Sequence, residues 1–411
     1  MKNMYENIQH CRISDSKELI TILELGEQPL ANACTNSPDA QEHKFPLTLV
    51  YSPESSLVQL RETVNKEELF SNYTWVTGTS LSTRDYAKLF FQRIVETVKP
   101  ETGDLVVEIA SNDGTFLTPF LQYGYTNILG IDPAKNISTV ANQRGVRTLN
   151  RFWGKQVAEE AVSKYGNAKI VIARNVIPHV SELHDVIMGI EHALRDDGVG
   201  IIEFHYAGQI LQELHYDSIY HEHLCYFSIK AITYLLAKYG LIPFHLDTSP
   251  ISGGSYVIYF TKEKRSQSEN FLNLLEKEDL IGVNEIQAWK KFSETCYEHR
   301  RKSRDIAESF SSKTVLGFGA SARSSTYLNF CGFDTNHLKA IIDNNPLKHG
   351  LYSPGASIPI ISLEKGMQMN PDLIFILAWN FRDEIVAECR KNGYKGEYLV
   401  AFPDSPYFYQ D

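Results

Sequence analysis

Residues Val106–Leu117 read VVEIASNDGTFL. A β-branched run that carries an acid, Glu108, passes into a turn containing Asn112 and Gly114, and the turn opens a helix. The next apolar run, NILGIDPA, ends in a second acid, Asp132, followed by Pro133. Strand, turn, helix and strand in this order form the first unit of a doubly wound sheet. In such sheets ligands meet the carboxyl ends of the strands, and an acid at the end of the second strand suits ribose hydroxyls.

Two nucleotide cofactors compete for this turn. A dinucleotide calls for G-x-G-x-x-G, which cradles a pyrophosphate on a helix N-terminus. The sequence here is A-S-N-D-G, with one glycine and with Asp113 placed to repel an anion. S-adenosylmethionine has no phosphate and carries a cationic sulfonium and amine, so the acidic residues suit it better. The bland alternative is an ordinary capped turn in an α/β core.

The alternation continues on both sides of this stretch. YAKLFFQRIVETV precedes it with helical spacing. GVRTLN, KIVIARNVI, a helix from Glu182 and GVGIIEFH follow, and LIPFHLDTS and GSYVIYFTK read as a hairpin closing the sheet. Apolar runs separated by amphipathic helices predict a parallel sheet with helices on both faces. Residues 1–84 have short β-like runs and turn-rich spacers, which predict a small β-rich module. Residues 263–312 are charged and helical. From residue 313 KTVLGFGA, LKAIIDNN, DLIFILAWN and YLVAF repeat the alternation as a second, smaller α/β unit. The expected boundaries are 1–84, 85–262 and 263–411, the last including the helical connector.

The bulk properties narrow the function. The 411 residues carry a formal net charge of −10, so the chain has no general attraction to nucleic acid or anionic lipid. No apolar run approaches the ~18 residues of a membrane span. The N-terminus lacks the apolar core of a signal peptide. The six cysteines have no paired spacing, as expected of free thiols in a reducing cytoplasm. A soluble cytoplasmic protein is the expectation; a local basic pocket for a phosphorylated small molecule stays open, as does the oligomeric state.

The densest chemistry lies in YDSIYHEHLCYFS, Tyr216–Ser228. Tyr220, His221, Glu222 and His223 all hold or move protons. In an extended segment His221 and His223 would share one face, with Tyr220 and Glu222 on the other. H-x-H on a strand could also hold a metal, but spacing offers no third ligand. A satisfied polar cluster is the alternative. His205, after the fifth strand, either lines the pocket or faces solvent. In the last domain GFGASAR joins a strand to a helix. Gly319, Ala320, Ser321 and Arg323 could cradle a pyrophosphate there, with Asp343 meeting a ribose or base.

YDSIYHEHLCYFS resembles the signature of the three-domain deoxysugar C-methyltransferases. LELGEQPLANA, YTWVTGTS, VVEIASNDGTFL, ARNVIPHV, SGGSYVIYF, GFGASARSSTYLNFCG and DNNPLKHGLYSPGASIPI resemble further family blocks in family order, over essentially the whole chain. The resemblance implies S-adenosylmethionine-dependent methylation of a carbon beside the ketone of a nucleotide diphosphate-linked sugar, at C3. It implies His223 as the base that forms the enolate, with Tyr220 and Glu222 as hydrogen-bonding partners and His179 facing the methyl group. Pro178 departs from the usual small residue. The donor pocket would comprise Glu108, Ala110, Ser111, Asn112, Gly114, Asp132, Pro133 and Asn175. Tyr73, Trp75 and His221 would join Gly319, Ala320, Ser321, Arg323 and Asp343 on the sugar nucleotide. O- or N-methylation of a related sugar, or a non-catalytic sugar-nucleotide-binding relative, are the alternatives.

The N-terminal module departs from the family. Its members carry two Cys-x-x-Cys pairs and bind structural zinc. Here the pairs read C-R-I-S, Cys11 and Ser14, and S-P-E-S, Ser52 and Ser55. Serine hydroxyls do not ionise at neutral pH and lack a soft donor, so no zinc is expected. His10, Cys34 and His43 are the residues nearby from which a rebuilt site could draw.

Overall fold

The computed structural model describes residues 4–65, 69, 77–79, 81–250, 254–310 and 312–409. The described residues form three larger sheets and a two-stranded ribbon. The ribbon pairs β1 (Tyr5–Asn7) with β5 (Glu62–Val64). The N-terminal sheet contains β2 (Ile20–Pro29), β3 (Lys44–Ser52) and β4 (Leu57–Leu60). Its fourth strand comes from far along the chain.

Helix α1 (Leu81–Val98) leads into the central domain, starting four residues before the expected boundary. Its apolar residues Tyr86, Phe90, Phe91 and Ile94 are buried at helical spacing and cover one face of the sheet. The sheet holds β6 (Val106–Ile109), β7 (Ile128–Ile131), β8 (Thr148–Leu149), β9 (Ala168–Arg174), β10 (Leu194–His205), β12 (Ile242–Ser249) and β13 (Ser255–Thr261). The order is β12-β13-β10-β9-β6-β7-β8. β13 lies antiparallel between β10 and β12, and the rest of the sheet from β10 to β8 is parallel. Strands β6 and β7 are buried at every position, as a sheet covered on both faces requires. The helix expected directly at Gly114 starts only at Thr118 as α2 (Thr118–Gln122). Helices α3 (Lys135–Gln143), α4 (Lys155–Tyr165) and α5 (Leu183–Ala193) follow β7, β8 and β9.

After α6 (Ala207–Gln212) the chain leaves the central domain. β11 (Cys225–Tyr226) pairs antiparallel with β4, giving the N-terminal sheet the order β11-β4-β3-β2. The Tyr220–His223 segment is therefore strung between two domains. Ser228 then caps α7 (Ile229–Ala237), its hydroxyl accepting from Ala231 N.

Helices α8 (Glu269–Ile281) and α9 (Ile286–Glu308) connect to the last domain. Ser268 caps α8 at its start, and Gly282, at φ 68°, ends it in the left-handed conformation. The last sheet has the order β16-β15-β14-β17-β18-β19, from β14 (Val315–Phe318), β15 (Ala340–Ile342), β16 (Ile360–Ile361), β17 (Leu373–Ile376), β18 (Glu397–Val400) and β19 (Tyr407–Tyr409). All neighbours are parallel except β19. Helix α10 (Ala322–Cys331) follows β14 and opens on a capping box between Ser321 and Ser324. No helix of the described residues is long and apolar enough to cross a membrane.

Candidate active site

The turn after β6 is built from unusual backbone. Ala110 and Asn112 have φ of 52° and 50°, and Asn175, after β9, has 49°. Three non-glycine residues in the left-handed region at neighbouring strand ends mark a place where backbone geometry is over-determined by its surroundings. Asp132 supplies part of that control: its carboxylate accepts the Asn112 and Ala134 backbone N–H groups at 2.9 and 2.8 Å. Asn150 Nδ2 reaches the Asp132 and Pro133 carbonyls. The carboxylate expected to meet ribose thus also braces the turn.

Two readings of this turn change. Asp113 is buried and paired with Arg144, with Thr115 Oγ1 also donating to it at 2.7 Å. It therefore presents no free negative charge to a ligand, and the anion-repulsion argument for this residue fails. Gly114, at φ 76°, would set a Cβ 2.8 Å from Val146. The close approach of this turn to the loop at Val146 requires this glycine. The turn is roofed by Thr77 N, which donates to Asn112 Oδ1 at 2.9 Å.

Below the turn Glu108 is 2 % exposed. Burial pushes its carboxyl up to about 8, although the nearby Arg174 opposes the shift. Arg174 is committed to Glu203 at 2.7 Å and lies over the Phe116 ring. Glu108 Oε2 and Ser111 Oγ are buried with no hydrogen-bond partner among the described residues. Buried polar atoms normally have partners, and polar groups of a bound ligand would satisfy these two. A cationic, phosphate-free nucleoside such as S-adenosylmethionine fits them.

The proton-handling residues lie beside the end of β9. His179 sits in a 3-10 turn, Ile177–His179, and its ring meets that of His223 edge to face at 4.8 Å. Leu224 N donates to Pro178 O at 2.8 Å, joining the two segments. The segment Tyr220–His223 is a turn, closed by His223 N donating to Tyr220 O at 2.8 Å. The extended-strand expectation, with His221 and His223 on one face, is therefore replaced. His221 Nε2 turns away to Pro46 O at 3.0 Å, with its ring against Phe45. It docks the turn onto the N-terminal module and does not face His223.

His223 has a defined tautomer. Its Nδ1 lies 2.8 Å from Ser218 O, which can only accept, so Nδ1 carries the hydrogen. Nε2 is then the lone-pair nitrogen, and the Tyr220 hydroxyl donates to it at 2.7 Å. Burial holds the imidazole well below its ordinary range, with His179, His205 and Arg323 acting in the same direction. His179 is pushed down to about 4 by burial, partly offset by the Glu222 backbone. Both rings are neutral at pH 7. Glu222 Oε1 accepts from Asn32 Nδ2 at 2.7 Å. Burial raises this carboxyl and the amide partly counters it. Sequence reasoning did not single out Asn32, although it lies in the quoted LANA run. The Tyr226 hydroxyl is also buried, with no partner among the described residues, 6.5 Å between its ring and that of His223.

The second glycine turn is more closed than expected. Gly319 N donates to Ile342 O, Ala320 N to Asp343 Oδ2 at 2.8 Å, and Ser321 N to Ser324 Oγ at 3.4 Å. A Cβ on Gly319 would strike Ala378 at 2.4 Å. Asp343 also accepts from Asn345 N. The cradle of free N–H groups at 319–321 is thus absent. Arg323 is likewise engaged, in a two-pronged pair with Asp217 at 3.0 and 2.8 Å. Lys348, whose Nζ donates to Ala320 O at 2.7 Å, is the cation the sequence reading missed here. A cavity of 440 Å³ lies between the β12–β13 hairpin and the last domain, lined by Gln209, Glu213, Ser249, Tyr256 and Trp379 among others. His205, 5.8 Å from His215 and stacked on it, ends β10 nearby with its Nε2 buried and without a partner among the described residues. Tyr73 and Trp75 lie outside the described residues.

The zinc-ligand positions converge with a single zinc donor among them, the Cys11 thiol. Cys11 Sγ lies 3.3 Å from Ser55 Oγ, and Ser14 Oγ lies 3.5 Å from Ser52 Oγ, all buried. Burial raises the thiol, but the hydroxyls of Ser14, Ser52 and Ser55 together bring it below its ordinary value. One thiol and three hydroxyls do not fit a structural zinc site. His10 and His43 are exposed, and no metal-holding group of acids, histidines and cysteines occurs among the described residues.

The strand order, with an antiparallel strand inserted next to the edge, and the acid-bearing turn at the first strand define a doubly wound methyltransferase. Residues 83–245 match the family model described as a methyltransferase domain, 250–403 that of a C-methyltransferase C-terminal domain, and 11–70 that described as "Putative zinc binding domain". C-methyltransferase NovU of Streptomyces niveus is 30% identical over 413 residues, covering 98% of each chain. Among solved structures, magnesium protoporphyrin IX methyltransferase (ChlM) of Synechocystis PCC 6803 with bound SAM matches 47% of this chain and 87% of its own. Its identity is 14% and its TM-score 0.34. The chain belongs to the S-adenosylmethionine-dependent C-methyltransferase family.

Proposed function

We propose that the enzyme methylates C3 of a nucleotide diphosphate-linked sugar, beside a C4 ketone, by forming an enolate. The observation that carries this reading is the Tyr220–His223 pair, at 2.7 Å, with the imidazole hydrogen fixed on Nδ1. Carbon needs to lose a proton before it attacks a methyl group, whereas an amine needs no base. A neutral imidazole with its Nε2 lone pair directed at a phenol suits that step.

Proton transfer follows from this arrangement. The C3–H bond breaks toward Tyr220 oxygen as the phenolic hydrogen passes to His223 Nε2, leaving an imidazolium whose Nδ1–H still donates to Ser218 O. His179, neutral and with its ring against that of His223, adds no competing charge. Glu222, held by Asn32, orients against the sugar hydroxyls or the forming enolate. S-adenosylmethionine, when bound, supplies an electrophilic methyl group on a cationic sulfonium. Glu108, Ser111, Asn112, Asp132 and Asn175 would hold it, with Ala110, Gly114 and Pro133 shaping the backbone. The sugar nucleotide would extend toward the last domain near Lys348 and Asp343.

The N-terminal module works without zinc in this reading, because its donor set is wrong for the ion. Its Ser and Cys side chains hydrogen-bond one another in the space. Incubation with methyl-labelled donor and a panel of nucleotide-linked 4-keto-sugars, with NMR location of the label, tests the proposal. Label on C3 is the expected result. Label on oxygen or nitrogen, with none on carbon, contradicts it.

A further inference from the structure

Arg323 and Trp379 hold the carboxylate next to the carbonyl that fixes His223. Asp217 is 1 % exposed. Three N–H donors from the last domain converge on it: Arg323 Nε and Nη2 at 3.0 and 2.8 Å, and Trp379 Nε1 at 2.9 Å. The Arg323 guanidinium also lies 4.8 Å from the centre of the Trp379 ring, so the two donors brace each other. A bidentate arginine pair fixes direction as well as distance.

The neighbours of Asp217 are gripped from the same side. The Tyr216 hydroxyl donates to His299 Nδ1 at 2.7 Å, a direction set by His299 Nε2–H donating to Ala401 O. Thr326 Oγ1 donates to Ile219 O at 3.1 Å. Ser218 Oγ donates back to His215 O at 2.7 Å. The carbonyl of Ser218, between these anchors, accepts from His223 Nδ1. The distance from Asp217 to the base is thus one peptide unit and one hydrogen bond.

We propose that Asp217 is a positioning residue: clamped by Arg323 and Trp379, it aims the Ser218 carbonyl that keeps the hydrogen of His223 on Nδ1 and its lone pair on Nε2. The last domain thereby sets the proton-accepting nitrogen of the central domain. This role for Arg323 is distinct from direct contact with a diphosphate. The proposal rests on His223 as proton acceptor.

Asp217→Asn is the test. An asparagine accepts on one oxygen only and turns an NH₂ toward a donor, so the clamp opens with little change in volume. Turnover is expected to fall about tenfold to a hundredfold, as for misplacement of a catalytic group, with donor affinity and KM for the sugar nucleotide within about threefold. In parallel, ¹⁵N-histidine NMR of the free protein, with the His223 signal identified from His223→Gln, reads the tautomer without any substrate. The wild type should show Nδ1–H alone and the variant a mixture. The nitrogen readout stands even if the sugar assignment is wrong. Should Asp217→Asn fail to fold, Trp379→Phe removes one donor and keeps a ring under Arg323. It should produce the same mixture and a loss of turnover of about threefold or more. An unchanged His223 nitrogen signature in the folded variant overturns the proposal, whatever the turnover. So does unchanged turnover on a competent substrate.

Discussion

Asn32 Nδ2 and Glu222 Oε1 are 2.7 Å apart, 190 residues apart in sequence. The contact carries the N-terminal module to the edge of the proton-transfer turn. His221 makes a second link, to Pro46 O, and β11 a third, to β4. The module is therefore packed directly on the Tyr220–His223 turn. Asn32→Ala leaves the Glu222 carboxyl without this donor, and a hydrogen bond to a charged group contributes about 1.5–3 kcal/mol. Turnover should fall about tenfold or more while donor affinity is kept. Asn32→Asp should be worse, because two carboxyls would then face each other. Steady-state kinetics beside calorimetric donor binding checks both.

Acid should affect this enzyme through its buried imidazoles. The folded His179 is pushed down to about 4 and the unfolded one has its ordinary value of 6.5. Below pH 6.5 the unfolded chain takes up a proton that the folded one does not. Stability is therefore lost as pH falls from 6.5 toward 4. His179→Gln should lose less over that window in denaturation series at several pH values. The acid limb of kcat/KM should also lie below 6.5, because His223 is depressed in the same direction.

Glu108 predicts the opposite slope. Its folded value of about 8 exceeds the 4.5 of an ordinary glutamate. Its contribution to stability is full below pH 4.5 and is lost as pH rises toward 8. At pH 7 the carboxyl is protonated, and a bound cationic donor would expel the proton. Calorimetric titration with S-adenosylmethionine in two buffers of different ionisation enthalpy should show proton release at pH 7. Glu108→Gln should abolish it and flatten the stability profile between pH 4.5 and 8.

The N-terminal donor set makes a metal prediction. Chelator should leave the denaturation midpoint of the wild type unchanged, and purified protein should hold no stoichiometric zinc. Replacing Ser14, Ser52 and Ser55 together with Cys completes four thiols around the existing cluster. That variant should take up one zinc per chain, measured by elemental analysis, and should lose stability on chelation.

The sheets were legible because their strands are covered on both faces: VVEI at β6 and AKIVIAR at β9 read as apolar runs and are almost wholly buried. The two-residue β11 was not legible, since only its partner β4 makes it a strand. The period-two reading of Tyr220–His223 failed because the segment closes a turn, so Tyr220 meets His223 three residues on. The partners of Arg323 were hidden for a different reason. Asp217 and Trp379 lie 106 and 56 residues away and come together only through the packing of the last domain. The glycines at 114 and 319 carried a true signal with another cause, close packing against Val146 and Ala378.

The most direct measurement is hydrogen exchange at the sugar carbon. A nucleotide-linked 4-keto-sugar is held in D₂O with the enzyme and S-adenosylhomocysteine, so that no methyl group can transfer, and C3 deuteration is followed by NMR. The wild type should exchange this hydrogen. His223→Gln should slow exchange by about 10²–10⁴, the range of a positioned general base, and Tyr220→Phe should slow it too. Exchange at the wild-type rate in both variants, with donor-site binding intact, would contradict proton transfer through this pair.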